Sequence, residues 1–180
     1  MNREYWIKYY KEHPKQDPSD FVKFCLLRIP EGSHIVDLAA GDGRDTDLLC
    51  TRGICIPVEP HNDAIALNHL HEVEYADVVY ARWFFHAVEE EVEDKVLLWC
   101  KAKGATLMTE MRAEEYADDK SHLRRVIEPE QFLQKLHRYE FIVEHFETAR
   151  GFSQVGNDNP LLTRVIAKSS VKKKHSKKAL

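Results

Sequence analysis

The stretch IVDLAAGDGRDTDLL, residues 35–49, constrains the fold more than any other part of the 180-residue chain. An apolar run ends at Asp37, passes through a short loop of small residues, and enters a segment with helical spacing. A strand, a glycine-containing loop and a helix in that order form the first unit of open α/β sheets, which bind ligands beyond the carboxyl ends of their strands. The chain is therefore expected to build an α/β fold around this unit.

Strand and helix patterns alternate along the rest of the chain, and the chain ends with two strands in a row. This order predicts a mostly parallel α/β sheet with an antiparallel C-terminal hairpin. Strands are predicted at GICIPVEP (53–60), ADVVYARWF (76–84), ATLMTEM (105–111), FIVEHFETA (141–149) and LLTRVIAK (161–168). Helices are predicted at residues 3–12, after a cap at Ser19, and at 45–50, 62–72, 89–103 and 128–139.

The glycine loop does not match the two commonest phosphate-binding motifs. A P-loop needs a lysine after its second glycine, and none follows Gly43. A dinucleotide fingerprint needs a third glycine after Gly41 and Gly43, and that position is Thr46. The missing lysine argues against a triphosphate, whereas the missing third glycine is by itself only a weak objection to a dinucleotide.

The charge of the loop points to a ligand that carries positive charge. Four carboxylates and one arginine, Arg44, lie in the loop and first helical turn, where a pyrophosphate would need positive potential. Such a loop suits the sulfonium and ammonium groups of S-adenosylmethionine. Glu59 ends the next strand 22 positions after Asp37, close to the spacing at which an acidic residue takes ribose hydroxyls. A tight turn with solubilising acids is the alternative. The four carboxylates are Asp37, Asp42, Asp45 and Asp47.

VDLAAGDGR resembles motif I of class I S-adenosylmethionine-dependent methyltransferases, with Ala39 at the usual first glycine, and PVEP resembles the acidic end of their second strand. ADVVYARWFFHAVEEEVEDKVL, EMRAEE, HLRRVIEPEQFLQKL and ARGFSQVGNDNPLLTRVIAK are similar, in order, to a small subgroup associated with bacterial surface-carbohydrate pathways. With YWIKYYKEHP and PSDFVKFC in front, the resemblance covers most of residues 4–168. It implies a Rossmann-like class I methyltransferase sheet, methyltransferase activity and S-adenosylmethionine as cofactor.

The resemblance and the loop chemistry together assign a set of cofactor-binding residues. Most lie at the ends of the first three strands, and two lie near the N-terminus, where the matching segment covers the cofactor in methyltransferases. The set comprises Asp37, Ala39, Gly41, Gly43, Arg44, Asp45, Glu59, Pro60 and Arg82, with Trp6 and Tyr10 as the covering residues.

The chain departs from the family pattern after its second strand. Only 16 residues separate Glu59 from Ala76, which is room for one helix, so the usual third strand and its helix are expected to be missing. The strand order is then 2-1-4-5-7-6 in family numbering, and GICIPV becomes a sheet edge that tolerates Pro57. We expect either the N-terminal helix or a second copy of the chain, as a homodimer, to cover that edge. Asp77 or Glu74 could replace the missing adenine partner.

The candidate catalytic residues follow the later strands. His86 is the natural general base by type and position, and His122 is a second candidate. Arg112, Arg124 and Arg125 could clamp an anionic acceptor. A buried structural histidine and a solvated arginine pair are the alternatives. No metal site is expected, because His69 and His71 lie two apart on a predicted helix and do not face together.

Composition and charge limit the classes of protein to which the chain can belong. Residues 1–168 are expected to form one domain and residues 169–180 a basic, disordered tail with five lysines. The net charge of −4 leaves −9 on the body, which argues against a dedicated nucleic-acid binder. The four cysteines form no Cys-x-x-Cys pair, and neither a membrane span nor a secretory signal is visible. A cytoplasmic protein with reduced thiols is expected.

Three functions follow from these observations. The first is methylation of a small, anionic acceptor of the sugar or sugar-phosphate type. The second is a catalytically reduced methyltransferase fold that serves as a binding or assembly protein. The third is methylation of nucleic acid or protein, helped by the lysine tail.

Overall fold

The computed structural model describes residues 3–13, 15–58, 67–114, 125–153 and 159–171. The helices in these ranges are α1 (Arg3–Glu12), α2 (Asp20–Leu26), α3 (Thr46–Leu49), α4 (Glu90–Lys103) and α5 (Pro129–Arg138). The strands are β1 (Ser33–Leu38), β2 (Gly53–Val58), β3 (Val78–Arg82), β4 (Thr106–Arg112), β5 (Phe141–Ala149) and β6 (Leu162–Ser169). Short 3-10 turns occupy Cys50–Arg52, Leu67–Glu72 and Phe85–Ala87.

The six strands form one mixed sheet in the order β2-β1-β3-β4-β6-β5. The first four strands are parallel, and β6 runs antiparallel to both β4 and β5. The mostly parallel sheet and its antiparallel C-terminal hairpin, both predicted from the sequence, are confirmed. Of the predicted helix over 62–72, residues 67–72 are described, and they form a 3-10 turn.

The shortened core is also confirmed for the part of the chain that the structure covers. Residues 67–76 contain no strand, and β2 pairs only with β1 among the described strands. The side chain of Ile54 on β2 is 59% exposed. Strand β2 is therefore an edge of the described sheet, at the place where the sequence predicts one.

Local signals in the sequence explain where the helices begin and end. Ser19 caps α2 as predicted, because its hydroxyl accepts a hydrogen bond from the Val22 N–H at 3.1 Å. Gly104 ends α4 in the left-handed conformation, with φ at 63°. Pro129 lies in the first turn of α5, where its missing N–H costs nothing.

Two apolar layers hold the helices against the sheet. The larger lies on the side of α4 and α5 and includes Leu97 and Leu136. The smaller lies on the side of α2 and α3, where Phe21 packs on Tyr80 with ring centroids 5.3 Å apart. Each such fully buried side chain contributes about 1.5–3 kcal/mol relative to exposure. None of the described helices has the length and apolarity of a membrane-spanning segment.

Strand β6 ends one residue later than the sequence predicts, at Ser169. The Ser169 N–H donates to the Ala105 carbonyl at 3.2 Å, and its hydroxyl donates to the Lys101 carbonyl at 3.2 Å. The Ser170 N–H donates to the Glu140 carbonyl at 3.0 Å. The folded part of the chain therefore continues past the predicted boundary at Lys168, because these bonds attach the following residues. The lysine-rich part of the tail, residues 172–180, lies outside the described residues.

Candidate functional site

The loop after β1 turns sharply at the carboxyl edge of the sheet. Ala39, Gly41 and Gly43 all have positive φ, at 57°, 63° and 76°. The Ala39 N–H still donates to the Val58 carbonyl of β2, and the Gly43 N–H donates to the Ala40 carbonyl, both at 2.9 Å. The loop therefore starts from the sheet ladder and then folds back. Gly41 and Gly43 adopt the left-handed region at no steric cost, whereas Ala39 is strained there, and the glycines bring backbone close to any ligand.

Tyr10 of α1 lies directly on this loop. A Cβ atom built on Gly41 would lie 2.4 Å from the Tyr10 hydroxyl oxygen, far inside contact distance. Glycine is therefore favoured at position 41 by its φ, and any larger residue would also displace the Tyr10 ring. The structure thus places Tyr10 beside the loop, where the sequence predicts a covering residue. The side chain of Trp6, its predicted companion, lies outside the described part of the chain.

Two of the four loop carboxylates are buried and bonded within the protein. Asp37 is 2% exposed and accepts a hydrogen bond from the Thr46 hydroxyl at 2.6 Å. Asp45 accepts three bonds at 2.7 Å, from the Ser19 N–H, the Ser19 hydroxyl and the Tyr80 hydroxyl. Burial, followed by the negative charge of Asp45, raises the pKa of Tyr80, so the phenol stays protonated and keeps donating. Asp45 therefore ties the loop to α2 and β3.

The other two carboxylates lie near the surface with cations around them. Asp42 accepts a hydrogen bond from the Arg44 N–H at 3.1 Å. Asp47 pairs with Lys15, whose Nζ lies 2.7 Å from its carboxylate. The Arg44 side chain binds the Gln16 amide at 2.7 Å and also the Asp17 carbonyl. Lys15 lowers the net charge of the loop from about −3, as the loop residues alone give it, to about −2, and the loop remains negative.

His86 lies in the 3-10 turn after β3 and is 3% exposed. Its Nδ1 accepts a hydrogen bond from the Arg112 N–H at 3.3 Å, and its carbonyl accepts one from the Arg125 N–H at 2.8 Å. Because Nδ1 accepts from a backbone amide, the neutral ring carries its proton on Nε2. The Trp83 ring lies 6.3 Å from the imidazole, nearly edge to face. His86 therefore joins the turn after β3 to the end of β4.

Arg125, predicted to clamp an anion, has internal partners for its guanidinium group. Its Nε donates to the Val88 carbonyl at 2.6 Å, and its Nη2 donates to the Phe85 carbonyl at 3.0 Å. Nη2 also contacts the carboxylate of Glu93, which is buried and pairs with Lys135 at 2.8 Å. Arg125 therefore fastens the turn after β3 to α4. Arg112 lies at the end of β4 and is 5% exposed.

Five of the predicted site residues cannot be placed. Glu59 and Pro60 follow β2 directly, and His122 and Arg124 lie between β4 and α5, all outside the ranges that the structure describes. Trp6 belongs to α1, but its side chain is not described. Their assignments stay predictions.

Arg82, predicted from the sequence as a cofactor-binding residue, belongs to a charged triad at the carboxyl end of β3 whose other two members were not predicted from the sequence. Glu110 of β4 is fully buried, and its two carboxylate oxygens accept from Arg82 Nε at 3.1 Å and from Arg164 Nε at 2.8 Å. The three residues are paired across neighbouring strands of the sheet. A signal existed, since Glu110 and Arg164 each interrupt an apolar strand.

A cavity of about 600 Å³ lies at the opposite end of the sheet. It is bordered by the first residues of β3 and β4, among them Val78 and Thr106, and by Lys168 at the end of β6. In open α/β sheets the ligand lies beyond the carboxyl ends of the strands, so this cavity is not where the loop chemistry points.

The sequence predicts no metal site at His69 and His71, which are followed by Glu72. In the structure His69 Nδ1 lies 2.6 Å from the Glu72 carboxylate, and the two histidine rings are 6.3 Å apart. Within the described ranges no group of three or more His, Cys, Asp or Glu side chains is arranged to hold a metal ion.

Comparison with known proteins finds matches in structure but not in sequence. No protein-family model matches the chain, and no curated protein sequence does. A SAM-dependent methyltransferase from Methanosarcina mazei matches with a TM-score of 0.67 at 12% identity, over 87% of this chain and 100% of that chain. One from Archaeoglobus fulgidus matches with a TM-score of 0.64 at 17% identity, over 82% of this chain and 91% of that chain.

A third solved structure contains ligands. The 1,6-didemethyltoxoflavin-N1-methyltransferase of Burkholderia thailandensis, with its substrate and S-adenosylhomocysteine bound, matches with a TM-score of 0.64 at 11% identity. The match covers 83% of this chain and 76% of that chain. Likenesses at such low identity concern the fold. The chain has the α/β Rossmann-like methyltransferase fold, as the sequence predicts.

Proposed function

We propose that this chain binds S-adenosylmethionine and transfers its methyl group to a small anionic acceptor. The observation that carries the proposal is the loop after β1, which combines left-handed Gly41 and Gly43 with net negative charge at the carboxyl edge of the sheet. The S-adenosylhomocysteine in the Burkholderia structure, which has the same fold, supports the cofactor. Within anionic acceptors, the surface-carbohydrate resemblance of the sequence favours a sugar or sugar phosphate.

The residues of the loop fit the proposed cofactor. A net negative charge favours its sulfonium and ammonium groups, and the glycine backbone lets them approach closely. Glu59, directly after β2, would accept from the ribose hydroxyls, with Pro60 beside it. The bound cofactor supplies a methyl group that is open to in-line attack. The chain's own task is to align the acceptor with that methyl group, which can supply much of the rate.

The geometry of His86 favours an orienting role over that of a general base. With Nδ1 occupied by the Arg112 N–H, the lone pair needed to accept a proton is not presented by the neutral ring. Through its bonds with the Arg112 and Arg125 N–H groups, His86 would instead orient the end of β4 and the turn after β3. His86→Asn keeps an acceptor for the Arg112 amide. A general base would leave a titration near its pKa in the pH dependence of kcat, and the variant would lose it.

Isothermal titration calorimetry with S-adenosylmethionine and with S-adenosylhomocysteine tests the cofactor directly. Glu59→Ala is expected to weaken binding by about 1.5–3 kcal/mol, the size of a hydrogen bond to a charged group. Glu31→Ala is the matched control, because the Glu31 side chain is 89% exposed and lies away from the loop. If neither compound binds the unmodified chain, the proposal is wrong; if Glu59→Ala and Glu31→Ala behave alike, Glu59 is not in the site.

The second candidate is a binding or assembly protein that keeps the fold without turnover. The exposed edge strand β2 favours it, because unpaired backbone groups on an edge invite pairing with another chain. A fold alone does not fix a reaction. The same calorimetry separates the two candidates, since an assembly protein need not bind the cofactor.

A further inference from the structure

We propose that Arg82 and Arg164, held on either side of Glu110, form the subsite that takes a carboxylate group of the acceptor. The inference deepens the proposed function by naming the anion and the residues that bind it, and to that extent it rests on that function. Of the acceptors proposed above, it selects a sugar that carries a carboxylate over a sugar phosphate. It replaces the sequence prediction in which Arg112, Arg124 and Arg125 hold the anion.

The first argument is charge. Two arginines and one glutamate give the triad a net charge of +1, and the other carboxylate that interacts with Arg164, that of Asp20, is exposed. The side chains of Arg82 and Arg164 are 13% and 9% exposed, so water screens that charge poorly. One arginine would be enough to neutralise Glu110, and a second one adds a desolvation cost that a bound monoanion would offset.

The second argument is that each of the two arginines keeps an unpaired hydrogen-bond donor. Arg82 donates through Nε to Glu110 and through Nη2 to the Ser153 hydroxyl, and Arg164 donates through Nε to Glu110 and through Nη2 to the Phe152 carbonyl. Within the described part of the chain, neither Nη1 atom has a hydrogen-bond partner.

Trp83 adds a third donor beside them. Its ring lies 4.6 Å from the Arg82 guanidinium carbon, and its buried Nε1–H has no partner among the described residues. A site whose described unpaired groups are all donors selects an anion that only accepts, and the single positive charge of the triad matches a carboxylate better than a doubly charged phosphate. One Nη1 group from each arginine would give a carboxylate two charge-assisted hydrogen bonds, one to each oxygen.

The third argument is rigidity. The Arg82 guanidinium stacks near the Trp83 ring, and that of Arg164 lies 4.1 Å from the centre of the Phe152 ring. Together with the bonds to Glu110, these rings fix both guanidinium planes before any ligand arrives. A pre-organised site loses little entropy on binding, so even a small carboxylate can bind measurably.

The position of the subsite agrees with the proposed reaction. Arg82 follows Tyr80 by two residues on β3, so their side chains share one face of the sheet. The Tyr80 hydroxyl binds Asp45 at the start of α3, directly after the loop. Arg82 therefore lies on the strand next to β1, which carries the cofactor loop, and Arg164 lies two strands further along the sheet.

The test is a ¹H–¹⁵N NMR titration of the full chain without cofactor, following the arginine Nε–Hε and tryptophan Nε1–H signals. The probes are benzoate, its neutral isostere benzamide, and phenyl phosphate, which carries more charge near neutral pH. Benzoate is expected to shift the Arg82, Arg164 and Trp83 signals saturably in the millimolar range, at least about tenfold more tightly than either other probe, as a charge-matched bidentate site predicts.

Three variants test the assignment. Arg82→Lys and Arg164→Lys keep the positive charge but lose the planar guanidinium group with its several N–H donors. Each is expected to weaken benzoate binding by about tenfold. Trp83→Phe leaves the triad intact and removes one donor, and it is expected to weaken binding by about threefold or more. Arg28→Lys is the matched control, since Arg28 also stacks on a ring, that of Phe24 at 3.8 Å, but is exposed.

The proposal is overturned if benzoate gives no saturable shift, if phenyl phosphate binds more tightly, or if Arg28→Lys weakens binding as much as the triad variants do. Circular dichroism shows whether each variant has folded. If an arginine variant has not folded, the effect of Trp83→Phe on benzoate binding decides the result. The titration needs no cofactor, so failure of S-adenosylmethionine to bind would leave its outcome unaffected.

Discussion

Replacing Tyr80 by phenylalanine measures how firmly the loop after β1 is fastened to the sheet. The Tyr80 hydroxyl donates one of the three hydrogen bonds that Asp45 accepts, at 2.7 Å, and lies 3.3 Å from the Ser19 hydroxyl. Phenylalanine keeps the stacking on Phe21, because the ring contact does not involve the oxygen. The substitution therefore removes one polar contact and almost no apolar packing.

The expected loss follows from the kind of bond removed. A hydrogen bond to a charged group contributes about 1.5–3 kcal/mol, and the two bonds from Ser19 still satisfy part of the Asp45 carboxylate. We expect Tyr80→Phe to lower the free energy of unfolding by about 1.5–3 kcal/mol. At about 2–4 °C per kcal/mol for a domain of this size, the melting temperature should fall by roughly 3–12 °C.

Urea unfolding followed by circular dichroism measures the change, and an unaltered m-value confirms that the two unfolding reactions are comparable. Tyr75→Phe is the control, because Tyr75 is 48% exposed and should lose less than about 0.5 kcal/mol. A double-mutant cycle with Ser19→Ala should show coupling, since both side chains bind Asp45. Equal stability of the Tyr80 and Tyr75 variants would refute the reasoning.

Three further predictions concern the chain end, the loop and the sheet edge. Ending the chain after Val171 should leave the melting temperature unchanged. Ending it after Lys168 should lower the melting temperature by several degrees, because the hydrogen bonds of Ser169 are lost. Thermal unfolding of both truncated chains measures the difference. Gly41→Ala should lower the free energy of unfolding by at least about 1–2 kcal/mol from its positive φ alone. The loss should be smaller in a Tyr10→Ala background, where the contact with the Tyr10 ring is relieved. An equal loss in both backgrounds would contradict that contact. Light scattering should give a dimer of twice 21.0 kDa that Ile54→Lys converts to a monomer, and a wild-type monomer would refute pairing through β2.

Local sequence signals predicted much of the fold because they act over a few residues. The Ser19 cap and the left-handed Gly104 are each determined by neighbours within four positions. The alternation of strands and helices predicted the sheet, since parallel neighbours need crossover helices. The C-terminal end of the last strand could not be predicted from local signals, because Ser169 is held by Lys101 and Ala105, which are far away in the sequence.

The candidate site was predicted less completely, because side-chain pairing across the fold leaves no mark on a single segment. The negative loop was visible in the sequence, but the attachment of Asp45 to Tyr80 joins residues 35 positions apart. Glu110 and Arg164 are 54 positions apart and meet only through the antiparallel register of β6. Sequence reasoning assigned the anion to arginines that are close together in the chain, and Arg125 is instead bonded within the protein.

The position of β6 between β4 and β5 has a consequence for folding during synthesis. Strand β5 is made before β6 but pairs only with it among the described strands, so β5 leaves the ribosome with no place in the sheet. At about 5–20 residues per second, the 20 residues from Arg150 to Ser169 delay its docking by roughly 1–4 s. Until then Glu110 has only Arg82 for a counter-ion, because Arg164 arrives with β6. The nascent chain thus carries an unpaired strand and an open sheet edge for seconds, which is the interval in which a chaperone would have the most to protect.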